Sequence, residues 1–357
     1  MSYSYRELKE YPDSVEVIGV VVPNNRTVLE IPETLDGKSV ISLDLDSNVL
    51  PDQDKAEVGI KKLVLSKKIR PLKAGTKDGK VKYLPLWGLF RLESIEVAKG
   101  NKYLKAKDGV LYNADMSAML EYPRCKKETL YRMPSSVTFS MDINNDHLKK
   151  LTFSNNKKYT SAYVSWCENL ESIYFPDNVK EVSGFYGAHK LKKKRWSRNL
   201  QTIGERAFEN AISLRKVRFP GKVREIGADA FRWCSSLEDI SLPDSVAYVG
   251  SGAFAKVPGI DMDMKKASFL LSPKNKKIKG RVPDYYRYIA VATMQKGKKH
   301  KHYDSQRINM LKPSEKSVYI RAGRFKGKIK GLKKGKAVIT IRMRTSDEKC
   351  RVKVTVA

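Results

Sequence analysis

The chain has 357 residues but only four histidines and four cysteines. His147, His189, His300 and His302 are the whole histidine set, and no acidic pair stands in a supporting context. A nucleophile–base constellation therefore has nothing to be built from, and an enzyme is not expected. His300 and His302 lie in the basic run KGKKHKH at 296–302. Two ligands one residue apart make a poor metal site, so this run reads as a solvated basic loop. None of Cys125, Cys167, Cys234 and Cys350 sits in a CxxC pair, which removes support for a zinc or thioredoxin-type site. A Walker A loop is missing, as is a G-x-G-x-x-G after a strand, so no cofactor is expected. The longest apolar runs are short, such as YIAVATM at 288–294, against the roughly 20 residues that a membrane span needs. The opening MSYSYRELKE lacks the basic start and apolar centre of an export signal. Two locations stay open on that ground: the cytoplasm, or the outside of the cell after removal of a leader.

What the chain does have is positive charge. Net charge is +31, and it is uneven. From Gly259 to the end there are 28 Lys+Arg against 7 Asp+Glu, a net +21, while the preceding 258 residues carry 42 against 32, a net +10. The last quarter thus has its own electrostatic character. A field of this sign favours anionic partners such as nucleic acid, wall polymers or acidic glycans. The competing reading is a lysine-rich surface kept soluble by self-repulsion.

The second feature is a repeat. Residues 203–254 read IGERAFENAISLRKVRFPGKVRE, then IGADAFRWCSSLEDISLPDSVAY, then VGSGAF. Ala207, Ala230 and Ala253 keep a spacing of 23, as do Phe208, Phe231 and Phe254. A fixed period of this length marks a solenoid, whose units bury their apolar faces only against each other. The strand core L-x-x-I-x-L-P-x-x-V can be traced backwards, with strand starts near 29, 63, 95, 131, 151, 173, 194, 217 and 240. The spacing is 20–23 residues in the second half and 32–36 in the first. One of the extra segments is KDGVLYNADMSAMLEYP at 107–123, two runs of strand formers around Asn-Ala-Asp, which predicts a hairpin. At Leu191–Trp196 the repeat is degenerate, with Lys194 standing where an apolar strand residue belongs.

Alternation along Val217, Arg218 and Phe219 places the first and third inward and the second outward. Pro220 and Pro243 lack the N–H to continue a ladder and stop the strand. Gly204, Gly227 and Gly250 follow an inward aliphatic residue and permit a corner. Cys167 and Cys234 share one repeat position three rungs apart. At about 4.8 Å per strand they are too far apart for a disulfide, so both read as small buried hydrophobes.

The pattern AF-x-x-C-x-x-L-x-x-I-x-L-P-x-x-V-x-x-I-G resembles the BspA-like (Treponema pallidum type) leucine-rich repeats of bacterial surface proteins, over residues 15–258. The resemblance implies a non-catalytic protein of the cell surface or secreted, used in adhesion or in binding host proteins. After residue 259 the register fades. Ile339, Ile341 and Met343 alternate with polar residues, as do Cys350, Val352, Val354 and Val356, with Ser346-Asp347-Glu348 between them. This predicts an antiparallel hairpin with one buried face. The segment 327–356 resembles the end of a bacterial immunoglobulin-like (group 2) domain. The expected class is mainly β: a leucine-rich repeat solenoid over 1–259, some rungs carrying hairpin inserts, followed by an immunoglobulin-like β-sandwich over 260–357.

A solenoid binds through outward strand positions, here Glu96, Thr152, Tyr174, Arg195, Arg218 and Ser241. Tyr174, Arg195 and Arg218 fall on consecutive rungs and are the candidate site, since Tyr and Arg are common anchors. In KLKKKRWSR, 190–198, the side chains of Lys193, Arg195 and Arg198 are expected to project outward, while Trp196 takes the inward position of Phe219 and is expected in the core. The expected partner is a host or cell-surface protein or glycan bound by the solenoid. The alternative is an anionic polymer, nucleic acid or wall material, bound by the basic C-terminal module.

Overall fold

A computed structural model describes residues 1–237 except 24, 25, 46–58, 77, 78 and 80. Beyond 237 it describes 239–241, 248, 249, 253, 254, 257 and the strands between 268 and 356. Among the described residues every regular element is a strand. No helix there is long and apolar enough to cross a membrane. The chain divides into two units, Met1–Leu170 and Glu171–Ala357.

In the first unit, strands Val28–Glu30, Lys62–Leu65 and Ser94–Val97 form a parallel sheet with Leu29, Leu63 and Ile95 in one register. All three side chains are fully buried. Leu130–Arg132 pairs in parallel with Lys150–Thr152, aligning Tyr131 with Leu151. The five starts expected from the period in this unit each fall on a strand, because the inward position of every turn must be apolar to be stacked at all. The insert forms the expected hairpin, Val110–Asn113 against Ala118–Glu121. Asn113 Oδ1 accepts from the Ala118 N–H at 2.8 Å and Asp115 Oδ1 from the Ser117 N–H at 2.9 Å, which closes the turn. A further strand, Leu104–Lys107, joins it through the left-handed pair Asp108-Gly109. Outside the repeat ladder, Ser2–Glu7 lies antiparallel to Ser14–Val21, which pairs in parallel with Lys38–Leu43. Buried Asn145 takes a small-residue position of the repeat. Its Nδ2 donates to the carbonyls of Pro123, Arg124 and Lys126, and its Oδ1 accepts from the N–H groups of His147 and Leu148. A buried amide is tolerated there because every polar atom is used.

In the second unit the strands Ser172–Tyr174, Lys193–Arg195, Lys216–Arg218 and Asp239–Ser241 again fall on the expected starts. A second parallel ladder runs through Glu181–Ser183, Thr202–Ile203, Glu225–Ile226 and Tyr248–Val249. The sequence reading took this part of each turn as a corner only. Gly204 and Gly227 lie where turns stack most closely: a Cβ on Gly204 would sit 2.7 Å from Ser183 Cβ, and one on Gly227 would sit 2.4 Å from Glu205 N. Neither has a left-handed φ, so close approach rather than backbone freedom demands the glycines.

Two aromatic columns fill the interior of this unit. Phe185, Phe208, Phe231 and Phe254 stack with centroids 5.3, 5.3 and 5.5 Å apart and rings within 13° of parallel. Phe175, Trp196 and Phe219 form the second, at 5.5 and 5.8 Å. The columns meet edge to face, as in Trp196–Phe208 at 5.4 Å and 88°. Offset-stacked and edge-on pairs are the favoured geometries of aromatic quadrupoles.

Farther on, Gly335–Met343 and Lys349–Val356 pair antiparallel with Ile341 opposite Cys350, the expected hairpin. They close a five-stranded antiparallel sheet with Tyr288–Thr293, Ser317–Arg321 and Arg324–Lys326. Ser346-Asp347-Glu348 lie outside the described residues.

Candidate recognition surface

In Ser172–Tyr174 and Lys216–Arg218 the middle residue is buried and the flanking residues face outward. Register aligns Ser172 with Lys193, Ile173 with Lys194 and Tyr174 with Arg195. The Arg195 guanidinium lies over the Tyr174 ring, 4.7 Å from its centroid. This cation–π contact holds a long side chain flat against the sheet. Arg218 is exposed at the same position one turn later, and its own strand aligns it with Ser241. The three candidate residues therefore share one outward face, with Tyr174 and Arg195 in contact.

Of the run 190–198, Lys193, Arg195 and Arg198 are exposed, as expected from sequence. Arg198 Nε donates to Asp177 Oδ2 at 2.6 Å, and this guanidinium holds the Asp177 carboxyl below its ordinary range. Trp196 is half-buried and packs among Phe175, Phe208 and Phe219, so its ring is taken up by these neighbours.

Lys194 stands in the aliphatic column, half-buried, and donates through Nζ to the Lys216 carbonyl. Here the strand ladder is interrupted: Ser172–Tyr174 pairs with Lys193–Arg195, and Lys216–Arg218 with Asp239–Ser241, as separate sheets. Burial pulls the ammonium down from 10.5 to about 8. The folded state thus binds fewer protons than the unfolded between these values, so stability should rise as pH increases from about 8 towards 10.5. Lys194→Ile is expected to raise stability by about 1–2 kcal/mol, discounted for the residue's partial exposure, and to abolish that rise. Urea unfolding at pH 7 and pH 10 checks both. Equal stabilities of the two proteins at pH 7 would contradict it.

Cys167 and Cys234 are buried and free, as expected from their shared repeat position. Their thiols donate to the carbonyls of Ile143 (3.4 Å) and Phe208 (3.1 Å), and burial pushes both up to about 12. Cys350 has no described side chain. His189 bonds Asn210 Nδ2 at 3.0 Å. Among the described residues no group of three or more His, Cys, Asp or Glu side chains is placed to hold a metal.

Two features escaped the sequence reading. Left-handed residues recur at 23-residue spacing, in Gly187, Asn210 and Trp233 and again in Arg206 and Asp229. Glycine and asparagine at that offset were the available signal. Trp233 is exposed there beneath the Arg232 guanidinium, 4.0 Å from its ring. The second feature is buried Glu209, paired with Arg206. Nothing in the spacing distinguishes it from the exposed acids around it.

The family model described as a BspA type leucine-rich repeat region matches residues 130–184 and 159–266, in six copies. No curated protein matches the chain. Among solved structures it is similar to a leucine-rich repeat protein from Eubacterium ventriosum, at 18% identity over 69% of this chain and 90% of that one, TM-score 0.40. It is also similar to the pneumococcal vaccine antigen PcpA (15%, 70% and 81%, TM-score 0.34). A third is the T. pallidum leucine-rich repeat protein TpLRR (16%, 72% and 88%, TM-score 0.24). With its parallel ladders, aromatic columns and six matched repeats, the part of the chain over residues 130–266 is a BspA-type leucine-rich repeat region.

Proposed function

We propose that this chain is a non-catalytic recognition or adhesion protein of the cell surface, or a secreted one. It binds a host or cell-surface protein or glycan through the outward strand face of the second unit. The observation that carries this reading is the Arg195–Tyr174 contact on that face with Arg218 one turn on, a preorganised pair of residue types common at binding hot spots. BspA-type repeats supply the scaffold: their repeating residues face inward, and the letters between them are free to specify a ligand. We place the domain boundary near residue 260 and read 260–357 as an immunoglobulin-like spacer or anchor, which the antiparallel pairing of its strands supports.

The test is capture of matrix proteins, mucins and wall polymers by the immobilised full chain at physiological salt. The wild type is expected to retain a partner, and Tyr174→Ala/Arg195→Ala/Arg218→Ala to lose at least tenfold in affinity, since anchors of this kind cost about 1–2 kcal/mol each. Unchanged binding by the triple variant would overturn the site.

A second reading rests on the net +21 of residues 259–357. A polyanion bound there would be released steeply by salt.

A further inference from the structure

One corner of the repeat holds its backbone left-handed, and the main-chain bonds there give the reason. The Gly187 N–H donates to the Glu209 carbonyl at 3.0 Å, and the Asn210 N–H to the Arg232 carbonyl at 2.8 Å. Each bond ties one turn to the next, and the donors have φ of 73° and 61°. Glycine and asparagine adopt this conformation readily, whereas a bulky side chain is strained in it. Two tryptophans nevertheless hold the same repeat position, Trp166 in the first unit with φ 43° and Trp233 in the second with φ 57°. They directly precede the matched buried cysteines Cys167 and Cys234.

Burial does not offset this strain. Trp166 is 50% exposed and Trp233 44%. A strained, exposed residue whose position glycine and asparagine fill in other turns points to a role outside the fold. The setting of each indole is polar. Beside Trp233 along the chain lie Arg232, whose guanidinium is 4.0 Å from the ring centre, and exposed Ser235. Arg232 in turn stands 3.9 Å from Asp229 Oδ2, and Ile212 is the exposed apolar residue of the preceding turn. Near Trp166, Glu168 is exposed and Ser165 pairs with Asn144 of the preceding turn. One flat ring bordered by hydrogen-bonding groups has the extent of a single sugar. A protein interface instead needs a contiguous apolar core within about 800 Å² per partner.

We infer that Trp166 and Trp233 are each a stacking platform for a neutral, β-linked sugar of the gluco configuration within an oligosaccharide. In that configuration the hydroxyls are equatorial. The C–H face is then free to lie on the indole, and the hydroxyls meet polar side chains at the rim. These sites go beyond the strand-face reading, since they lie on another part of the turn and do not use Tyr174, Arg195 or Arg218.

The test titrates the full chain with chitohexaose by calorimetry and follows urea unfolding of the same proteins. The wild type is expected to bind, and Trp166→Asn/Trp233→Asn to bind at least about tenfold more weakly. The urea midpoint of that variant should equal or exceed the wild type's, because asparagine suits the left-handed φ as it does at Asn210. Trp166→Tyr/Trp233→Tyr keeps a ring at each site and should lose less than the asparagine variant. Trp87→Asn, at an exposed tryptophan without a left-handed φ, should bind like the wild type. No binding of chitohexaose by the wild type, or unchanged binding by the asparagine variant, would overturn the inference. So would a lower urea midpoint in that variant, which would give the indoles to the fold. A surface protein captured by the wild type and lost in the asparagine variant, with no chitohexaose binding, would assign the platforms to a protein and overturn it as well. Loss of chitohexaose in Tyr174→Ala/Arg195→Ala/Arg218→Ala but not in the asparagine variant would move the sugar to the strand face, overturning this inference and supporting the earlier reading.

Discussion

Phe208→Ala is expected to destabilise the protein by about 3–5 kcal/mol, the range for removing a fully buried aromatic side chain from a well-packed core. Phe208 has no exposed surface, stacks between Phe185 and Phe231 at 5.3 Å on each side, and meets Trp196 edge-on. The loss has two parts. Transfer of the ring out of water contributes about 1.5–3 kcal/mol, and the cavity adds the rest because rings on both sides cannot collapse into it. A solenoid turn is held by its neighbours, so the effect should spread as reduced cooperativity over adjacent turns. Equilibrium unfolding in urea measures it, with Phe90→Ala as the control. Phe90 is 54% exposed and its truncation should cost little. A loss at Phe208 no larger than at Phe90 would show that the aromatic column does not carry the stack.

Gly227→Ala is the second large effect, and it acts through backbone rather than side chains. The added Cβ would lie 2.4 Å from Glu205 N and 2.5 Å from Gly204 C. Both are main-chain atoms of the preceding turn, so relief requires separating two turns that the Ile203–Ile226 register holds together. About 3 kcal/mol or more is expected, at or above the usual range for overpacking. Gly221→Ala is the matched comparison: a Cβ there meets nothing within 4 Å, and its φ is not left-handed. That substitution should be neutral or stabilise by up to about 1 kcal/mol, through the unfolded chain. Thermal unfolding of the pair checks both signs, and a Gly227→Ala protein as stable as Gly221→Ala would contradict the close stacking.

How much of this was legible in the sequence follows from where each constraint acts. Inward residues such as Leu151, Ile173 and Val217 recur because each turn demands the same apolar filling, so the period located the first strand of each turn. The inward position of Trp196, packed among Phe175, Phe208 and Phe219, could be assigned by register alone. The contact of Arg195 with Tyr174 was implied by register too, since outward residues on adjacent turns are cross-strand neighbours. The reason for Gly204 and Gly227 was not legible, because it lies between turns and a single turn does not show it. The same holds for Asn145, whose tolerance in the core depends on carbonyls some 20 residues earlier in the chain. The strand Ser2–Glu7 was missed because it lies outside the repeat and its partner is chosen by tertiary pairing. Lys194 was visible as a break in the pattern. Its hydrogen bond to Lys216 and the interruption of the ladder needed the neighbouring turn.

Division of labour between inward residues that hold the fold and outward residues that recognise a ligand is the central claim. It is tested most directly by measuring stability and capture on one preparation of the Tyr174→Ala/Arg195→Ala/Arg218→Ala protein. Substitutions at these outward positions, half-buried at Tyr174 and exposed at Arg195 and Arg218, should each change stability by about 1 kcal/mol or less. The account predicts a protein that unfolds like the wild type and no longer retains the surface protein or glycan the wild type captures. Capture at wild-type affinity by a variant that unfolds normally would contradict it.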